Sequence, residues 1–268
     1  MNAESIWEDI GTIRADAPLV HNITNYVAMD LTANALLALG ASPVMAHAVE
    51  EVEDMVGISS SLVLNIGTLS GPWIEAMFRA AAAAKRRGLR IVFDPVGAGA
   101  TRFRTETSRR ILTEIRPAIV RGNPSEIMAL VSSDASTKGV DTRYASDKAV
   151  DAAFEITDQY NCVVSVSGVI DRIVSGGKII KIANGHALMP KVTGLGCVAT
   201  ALTGAFAVVN PSPFEAAATA MAVMGIAGEM AAEKAQGPGS FRVHFIDALH
   251  RIDEDDIRSR LLVSTESR

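Results

Sequence analysis

Residues 62–94 read LVLNIGTLSGPWIEAMFRAAAAAKRRGLRIVFD, and the fold turns on them. Two runs, 62–66 and 90–94, are nearly continuous in Val, Leu, Ile and Phe, as strands covered on both faces must be. Between them, residues 72–87 open on Pro72, carry an alanine run and close on Lys85-Arg86-Arg87. Pro suits the first turn of a helix, and cations suit its last turn, where the helix dipole is negative. Strand, helix and strand in 33 residues make a βαβ unit. Working outward, further apolar runs of strand length fall at 43–46, 118–121 and 162–167, with helical patterns at 27–39, 105–115, 124–131 and 147–159. The alternation predicts an α/β protein with a mostly parallel central sheet and helices on both faces. Residues 172–175 and 178–183 alternate instead, and Gly176-Gly177 between them predicts a tight hairpin, hence an antiparallel edge. Ala-rich helices are expected from about Cys197 and Pro213, and a last one near 239–249, ahead of a charged tail.

Composition narrows the function classes. The 268 residues carry 25 Lys and Arg against 30 Asp and Glu, a net charge of −5, so a polyanion-binding footprint is absent. Hydrophobic residues make up 49% and aromatic ones 5%, so the apolar content is mostly aliphatic. That suits a buried parallel sheet, with some surface covered by a partner chain. Scaling relations give a folded surface of roughly 11,000 Å² against roughly 41,000 Å² extended, ample for a self-supporting core. No repeat, linker or shift in composition divides the chain, so residues 1–268 are expected to form one domain without a separate lid. Two cysteines, Cys162 and Cys197, are too few for a disulfide framework. Residues 1–18 lack the apolar core of a signal peptide. The most apolar stretches, 199–209 and 216–232, are separated by Asn210-Pro211-Ser212-Pro213, and the second contains Glu229. They read as core helices, and the protein as cytoplasmic.

In an open parallel sheet ligands bind beyond the carboxyl ends of the strands, so polar residues and glycines there carry the chemistry. Thr193-Gly194-Leu195-Gly196-Cys197 opens an Ala-rich helix. Its glycines let backbone N–H groups approach an anion, and the helix start adds partial positive charge suited to a transferring phosphoryl group. Cys197 falls in the first turn, where a thiol pKa is expected to drop and a thiolate can serve as base. The plainer alternative is a glycine turn before a core helix with a small buried Cys. Phe93-Asp94 runs into Pro95-Val96-Gly97-Ala98-Gly99-Ala100, so Asp94 can hold Mg²⁺ through water or cap its own loop. In Arg121-Gly122-Asn123-Pro124-Ser125-Glu126, Arg121 offers a forked cation to phosphate, while Asn123 and Glu126 have the spacing of a capping box. His21, Asn22 and Asn25, ahead of the helix at 27–39, can line a heteroaromatic pocket or serve as caps. Met45 can wall that pocket or simply fill core. Cys162 opens an apolar strand and reads as an inert buried thiol. The chain contains no Gly-x-x-x-x-Gly-Lys-Ser/Thr, so a P-loop is excluded.

Together these segments resemble one family. HNITNYVAMDLTANALLALGASPVMA (21–46), DPVGAGAT (94–101), RGNPSEI (121–127) and NGHALMPKVTGLGC (184–197) stand in the order found in hydroxyethylthiazole kinases, ribokinase-like enzymes of thiamine salvage. The resemblance runs from about Pro18 to about Gly239. It implies a ribokinase-like fold and ATP- and Mg²⁺-dependent phosphorylation of 4-methyl-5-(2-hydroxyethyl)thiazole. By position it implies Met45, Gly194 and Asn25 as substrate contacts and Arg121, Ser167 and Gly196 as ATP contacts. Asp94 and Glu126 match acidic positions near the phosphates and magnesium. Cys197 stands where the wider superfamily has an Asp base. A homotrimer with shared active sites is also implied. Ser167 replaces a usual Thr, Leu195 adds bulk between the two glycines, and His47-Ala48 replace more polar residues, which bears on the breadth of substrate choice. The rival readings are a ribokinase-like kinase of hydroxymethylpyrimidine or pyridoxal, an ATP-dependent dehydratase, and a non-catalytic thiazole-binding protein. The 21–46 segment argues against the first and Cys197 against the second.

Overall fold

The computed structural model describes residues 1–132 and 142–268, with side chains in the second segment from 147 onward. Nine strands form one sheet, ordered β2-β1-β3-β4-β5-β6-β7-β8-β9. These are β1 (Leu19–Ile23), β2 (Ser42–Val44), β3 (Ser61–Asn65), β4 (Arg90–Asp94), β5 (Ile119–Gly122), β6 (Val163–Val166), β7 (Asp171–Ser175), β8 (Lys178–Ile182) and β9 (Val263–Ser267). Pairing is parallel from β2 through β6 and antiparallel from β6 to β9.

Side chains alternate across the sheet, so each strand feeds two cores. Val63, Val92, Ile119 and Val163 pack with one helical layer: α1 (Ala3–Asp16), α2 (Met29–Leu39), α8 (Leu195–Val209), α9 (Pro213–Ala232), α10 (Pro238–Arg251) and α11 (Glu254–Arg260). Leu62, Leu64, Ile91, Phe93, Val120 and Val164 pack with the other. That layer holds α3 (Val52–Ile58), α4 (Gly71–Arg86), α5 (Arg102–Arg110) with a π-turn at Ile111–Ile115, α6 (Pro124–Val131) and α7 (Thr142–Tyr160). The accessible surface, 11463 Å², lies close to the area that scaling gives.

The 62–94 unit folds as read: β3, α4 and β4 occupy it, and β3 and β4 pair in parallel. The Gly-Gly turn also holds. Gly176 and Gly177 have φ of 53° and 78°, the two left-handed residues that a two-residue hairpin between right-twisted strands requires. The antiparallel edge is wider than a hairpin, because the charged tail supplies β9 along β8. Its residues after Val263 are exposed, so no hydrophobic pattern marks them, and backbone pairing makes the strand. His21 and Asn22, read as pocket-lining or capping residues, belong to β1 in the parallel region. His21 and Asn22 are fully buried there, His21 Nε2 lying 2.7 Å from Ala46 O and Asn22 Nδ2 donating to Val20 O at 2.9 Å. Each side chain thus has one polar atom paired, while His21 Nδ1 and Asn22 Oδ1 are buried without a partner.

Chain order reverses between β1 and β3: β2 lies on one side of β1 and the rest of the sheet on the other. Such a switch point leaves a crevice beyond the strand ends.

Candidate active site

Asn25 follows β1 and Asn65 closes β3, so the two residues face each other across this crevice. Asn25 Nδ2 donates to Asn65 Oδ1 at 2.9 Å. The same nitrogen lies 3.2 Å from Cys197 Sγ, in the first turn of α8. Asn65 Nδ2 in turn donates to Asp94 Oδ2 at 2.8 Å, and Thr200 Oγ1 donates to the same oxygen at 2.7 Å. Arg121, on β5, donates through Nη1 to Gly196 O at 3.1 Å. Residues 196, 197 and 200 of α8 thus reach side chains from β4, β5 and the segment after β1, at the carboxyl edge of the sheet.

Gly194 caps α8 with φ +91°, which only glycine adopts without strain. A Cβ there would sit 3.5 Å from Ala28 and Leu31, so the start of α8 packs against α2. No side chain covers the cap, and the N–H groups of the first turn stay available to an anion.

Asp94 is 1% exposed. Burial pushes its carboxyl up to about 7; Arg121 and the Thr200 and Asn65 hydrogen bonds oppose the rise, and the Glu126 charge adds to it. Glu126 serves as the cap that the Asn123 spacing suggested, and it does more. Oε2 accepts from Asn123 N–H and Oε1 from Gly97 N–H, each at 2.9 Å. The carboxylate therefore ties the glycine loop after β4 to the start of α6. Arg104 braces the same loop, donating to Val96 O at 2.8 Å and to Ile66 O and Gly67 O at 2.7 and 2.8 Å.

Cys197 departs from expectation. A helix N-terminus lowers a thiol pKa when the thiol meets water. Here burial pushes the thiol up to about 11, with the Asp94 charge adding to the rise and Asn25 opposing it. Cys197 is a neutral thiol at physiological pH, not a standing thiolate. Cys162 is raised to about 12 by burial, in line with an inert core thiol.

Beside Gly196 opens a cavity of about 610 Å³, large enough for a nucleoside. Arg121, Ser167, Gly196, Asp171, Met221 and Met224 are among its lining residues. Ser167 Oγ donates to Gly122 O at 3.3 Å. Arg121 Nε is buried without a partner, a donor left for a ligand. Asp171 accepts from Gly168 N–H at 2.9 Å, and burial pushes its carboxyl up to about 6 against the pull of Arg121. Asn184 anchors the far wall, donating to Glu229 Oε1 at 3.0 Å and Arg260 O at 2.7 Å.

The fold thus brings together Asn25, Asp94, Arg121, Ser167, Gly194, Gly196 and Cys197, with Glu126 behind the loop. Met45 stands half-buried just past β2, the neighbour of β1. Asn65, Thr200, Asp171 and Arg104 were not singled out from the sequence. Asn65 ends a strand just as Asp94 does, and that position was the available signal. Thr200 shows only in three dimensions, one turn beyond Cys197.

A phosphate-ready helix start set against a buried strand-end carboxylate, beside a nucleoside-sized cavity, defines a small-molecule kinase of the ribokinase-like class. The hydroxyethylthiazole kinase family model matches residues 10–255. A hydroxyethylthiazole kinase of Nitratidesulfovibrio vulgaris (strain DSM 19637 / Miyazaki F) is 54% identical over 262 residues, 98% of each chain. The solved hydroxyethylthiazole kinase protein of Pyrococcus horikoshii OT3 superposes with a TM-score of 0.91 at 43% identity, covering 98% of this chain and 100% of that one. The pyridoxal kinase of Staphylococcus aureus in complex with AMP-PCP shares the fold alone, with a TM-score of 0.62 at 18% identity over 80% of this chain and 88% of that one. The chain belongs to the hydroxyethylthiazole kinase family.

Proposed function

We propose that this protein transfers the γ-phosphoryl group of ATP to the primary alcohol of 4-methyl-5-(2-hydroxyethyl)thiazole. The observation that carries this reading is the convergence on α8: Arg121 on Gly196, Asn25 on Cys197 and Asp94 on Thr200. The nucleotide occupies the 610 Å³ cavity, with Arg121 and Ser167 on its phosphates and the Gly194–Gly196 backbone at the transferred group. The alcohol lies on the Asn25 side, near Cys197, with Met45 as an apolar wall.

Phosphoryl transfer passes through a loose transition state, so positioning and charge stabilisation dominate the rate. Little charge builds early on the attacking oxygen, so the acceptor of its proton need not be a strong base. The Cys197 thiolate, the minor form of a thiol near 11, takes that proton late, as the bond to phosphorus forms, and becomes the neutral thiol. Arg121 holds charge on the nucleotide side, and its unpartnered Nε gives it a donor to spare.

The residues fit Mg²⁺ in the manner it prefers, with water retained and one or two carboxylates plus substrate phosphates as ligands. Asp94 commits Oδ2 to Asn65 and Thr200 and keeps Oδ1 for a cation or its water. Glu126 holds a backbone N–H on each oxygen and would reach a cation through water. A cation held by these residues would supply neutralisation of phosphate charge.

Neighbouring subunits of a homotrimer complete the site. Tyr26 and Val27, 61% and 69% exposed, adjoin Asn25 and offer them an apolar surface. Both cysteines are unpaired, which suits the reducing cytoplasm. Among the described residues no helix is long and apolar enough to cross a membrane.

ADP release with ATP and Mg²⁺ is the test, run with the thiazole alcohol, hydroxymethylpyrimidine, pyridoxal or no acceptor. Turnover with the thiazole alone, and a product heavier by one phosphate, is expected. Preference for another alcohol would leave the kinase and overturn the pocket. Light scattering should give three chains per particle.

A further inference from the structure

The crevice between β1 and β3 contains a hydrogen-bond chain whose direction is fixed by the backbone. Gly67 N–H donates to Asn65 Oδ1 at 2.9 Å, and a backbone amide can only donate. The Asn65 amide is therefore oriented, with its NH₂ on Asp94 Oδ2 at 2.8 Å. Asn25 is oriented in the same way, because its Oδ1 accepts from Ala28 N–H at 3.1 Å. Both hydrogens of Asn25 Nδ2 are then assigned, one to Asn65 Oδ1 and one to Cys197 Sγ. The sulfur receives a hydrogen bond and is left with its own proton and a lone pair for the cleft. No member of the chain can be turned without stranding a buried polar group, since Asn25, Asn65 and Asp94 are each at most 5% exposed.

We propose that Asn65 is a positioning residue for phosphoryl transfer: its amide joins Asp94, on the phosphate side, to Asn25, and so holds the Cys197 sulfur toward the alcohol. This rests on the proposed reaction and adds to it a residue that touches neither substrate. Space is matched to the arrangement. A Cβ on Gly67 would lie 2.7 Å from both Cβ and Nδ2 of Asn25, so glycine there lets Asn25 reach across.

The test is steady-state kinetics of the full chain with ATP, Mg²⁺ and the thiazole alcohol for Asn65→Ala, Asn25→Ala, the double variant and Gly67→Ala. Thermal melting checks each fold. For Asn65→Ala, kcat is expected to fall by about 10- to 100-fold, the scale of a hydrogen bond to a charged group, with both KM values within about threefold. The double variant should lose no more than the worse single one, because one chain is cut twice. Gly67→Ala, which removes no hydrogen-bonding side chain, should lower kcat in the same way and serves if Asn65→Ala does not fold. Apart from turnover, Cys197 in Asn65→Ala should react with iodoacetamide at least about threefold more slowly at fixed pH, since the sulfur loses its oriented donor. Unchanged kcat, a loss confined to KM, multiplicative losses in the double variant, or an unchanged or faster alkylation would each overturn the proposal. A wild-type enzyme that prefers another alcohol would overturn the substrate instead, and the same variants would then be read on that alcohol.

Discussion

Asn25 and Cys197 stand 172 residues apart in the chain, and the amide nitrogen of one lies 3.2 Å from the sulfur of the other. The contact joins the segment after β1 to the first turn of α8. It also gives the sulfur a hydrogen-bond donor, which favours the thiolate that a hydroxyl proton requires.

The thiol sits near 11, so its thiolate fraction grows about tenfold per pH unit below that value. If Cys197 removes the proton, kcat rises with pH between 7 and 9. Cys197→Ala should lose about 10²–10⁴ in kcat and lose that rise with it. A fall of only a few-fold with an unchanged profile would reduce Cys197 to packing. Rate against pH for both proteins decides the matter.

Asp94 stands in the proposed site at the expense of stability. Burial lifts its carboxyl from 3.8 to about 7, so the folded state favours the protonated form. Stability is then highest below pH 3.8 as far as this group is concerned. It falls as pH rises towards 7, above which the full penalty is present. Asn at this position keeps an oxygen for the Asn65 and Thr200 donors and carries no charge. Asp94→Asn should therefore melt roughly 3–6 °C higher than wild type at pH 8, with activity lost. A lower melting temperature at pH 8 would count against the burial argument.

In the proposed reaction Arg121 carries nucleotide binding. Arg121→Lys retains charge and loses the fork, so KM for ATP should rise about tenfold or more while KM for the alcohol stays within about threefold. Equal losses for both substrates would move Arg121 out of the nucleotide half.

Gly225 on α9 gives the loop after β8 room to pass. A Cβ there would lie 2.7 Å from the Asn184 backbone carbon and oxygen, which cannot yield as a side chain tip can. Gly225→Ala should cost about 1–3 kcal/mol in denaturant unfolding and raise KM for ATP, since Asn184 lines the same cavity. Unchanged stability would mean that the loop moves freely.

Much of the architecture was legible because parallel strands buried on both faces leave unbroken apolar runs, as at 62–66 and 90–94. The strand β1 was harder, because His21 and Asn22 break that run, and the bonds that pair one polar atom of each, to Ala46 O and Val20 O, appear only in the folded chain. The strand β9 carries no apolar signal at all, since what holds it is the exposed edge of β8. In the site, Asp94, Arg121, Gly194 and Cys197 were legible by type and place: a carboxylate and a guanidinium at strand ends, a glycine and a thiol at a helix start. Asn65 and Thr200 were not, because an amide or a hydroxyl gains meaning only from the carboxylate facing it.

The sequence by itself determined the alternation of strands and helices through the middle of the chain, the hairpin at Gly176-Gly177 and the residue types gathered at the strand ends. These follow from local periodicity and turn chemistry, which act within a few residues. Tertiary structure alone decided the protonation of Cys197. A helix start favours the thiolate, yet burial and the nearby Asp94 charge outweigh it, and both arise from chain segments that meet only when the sheet closes beneath α8.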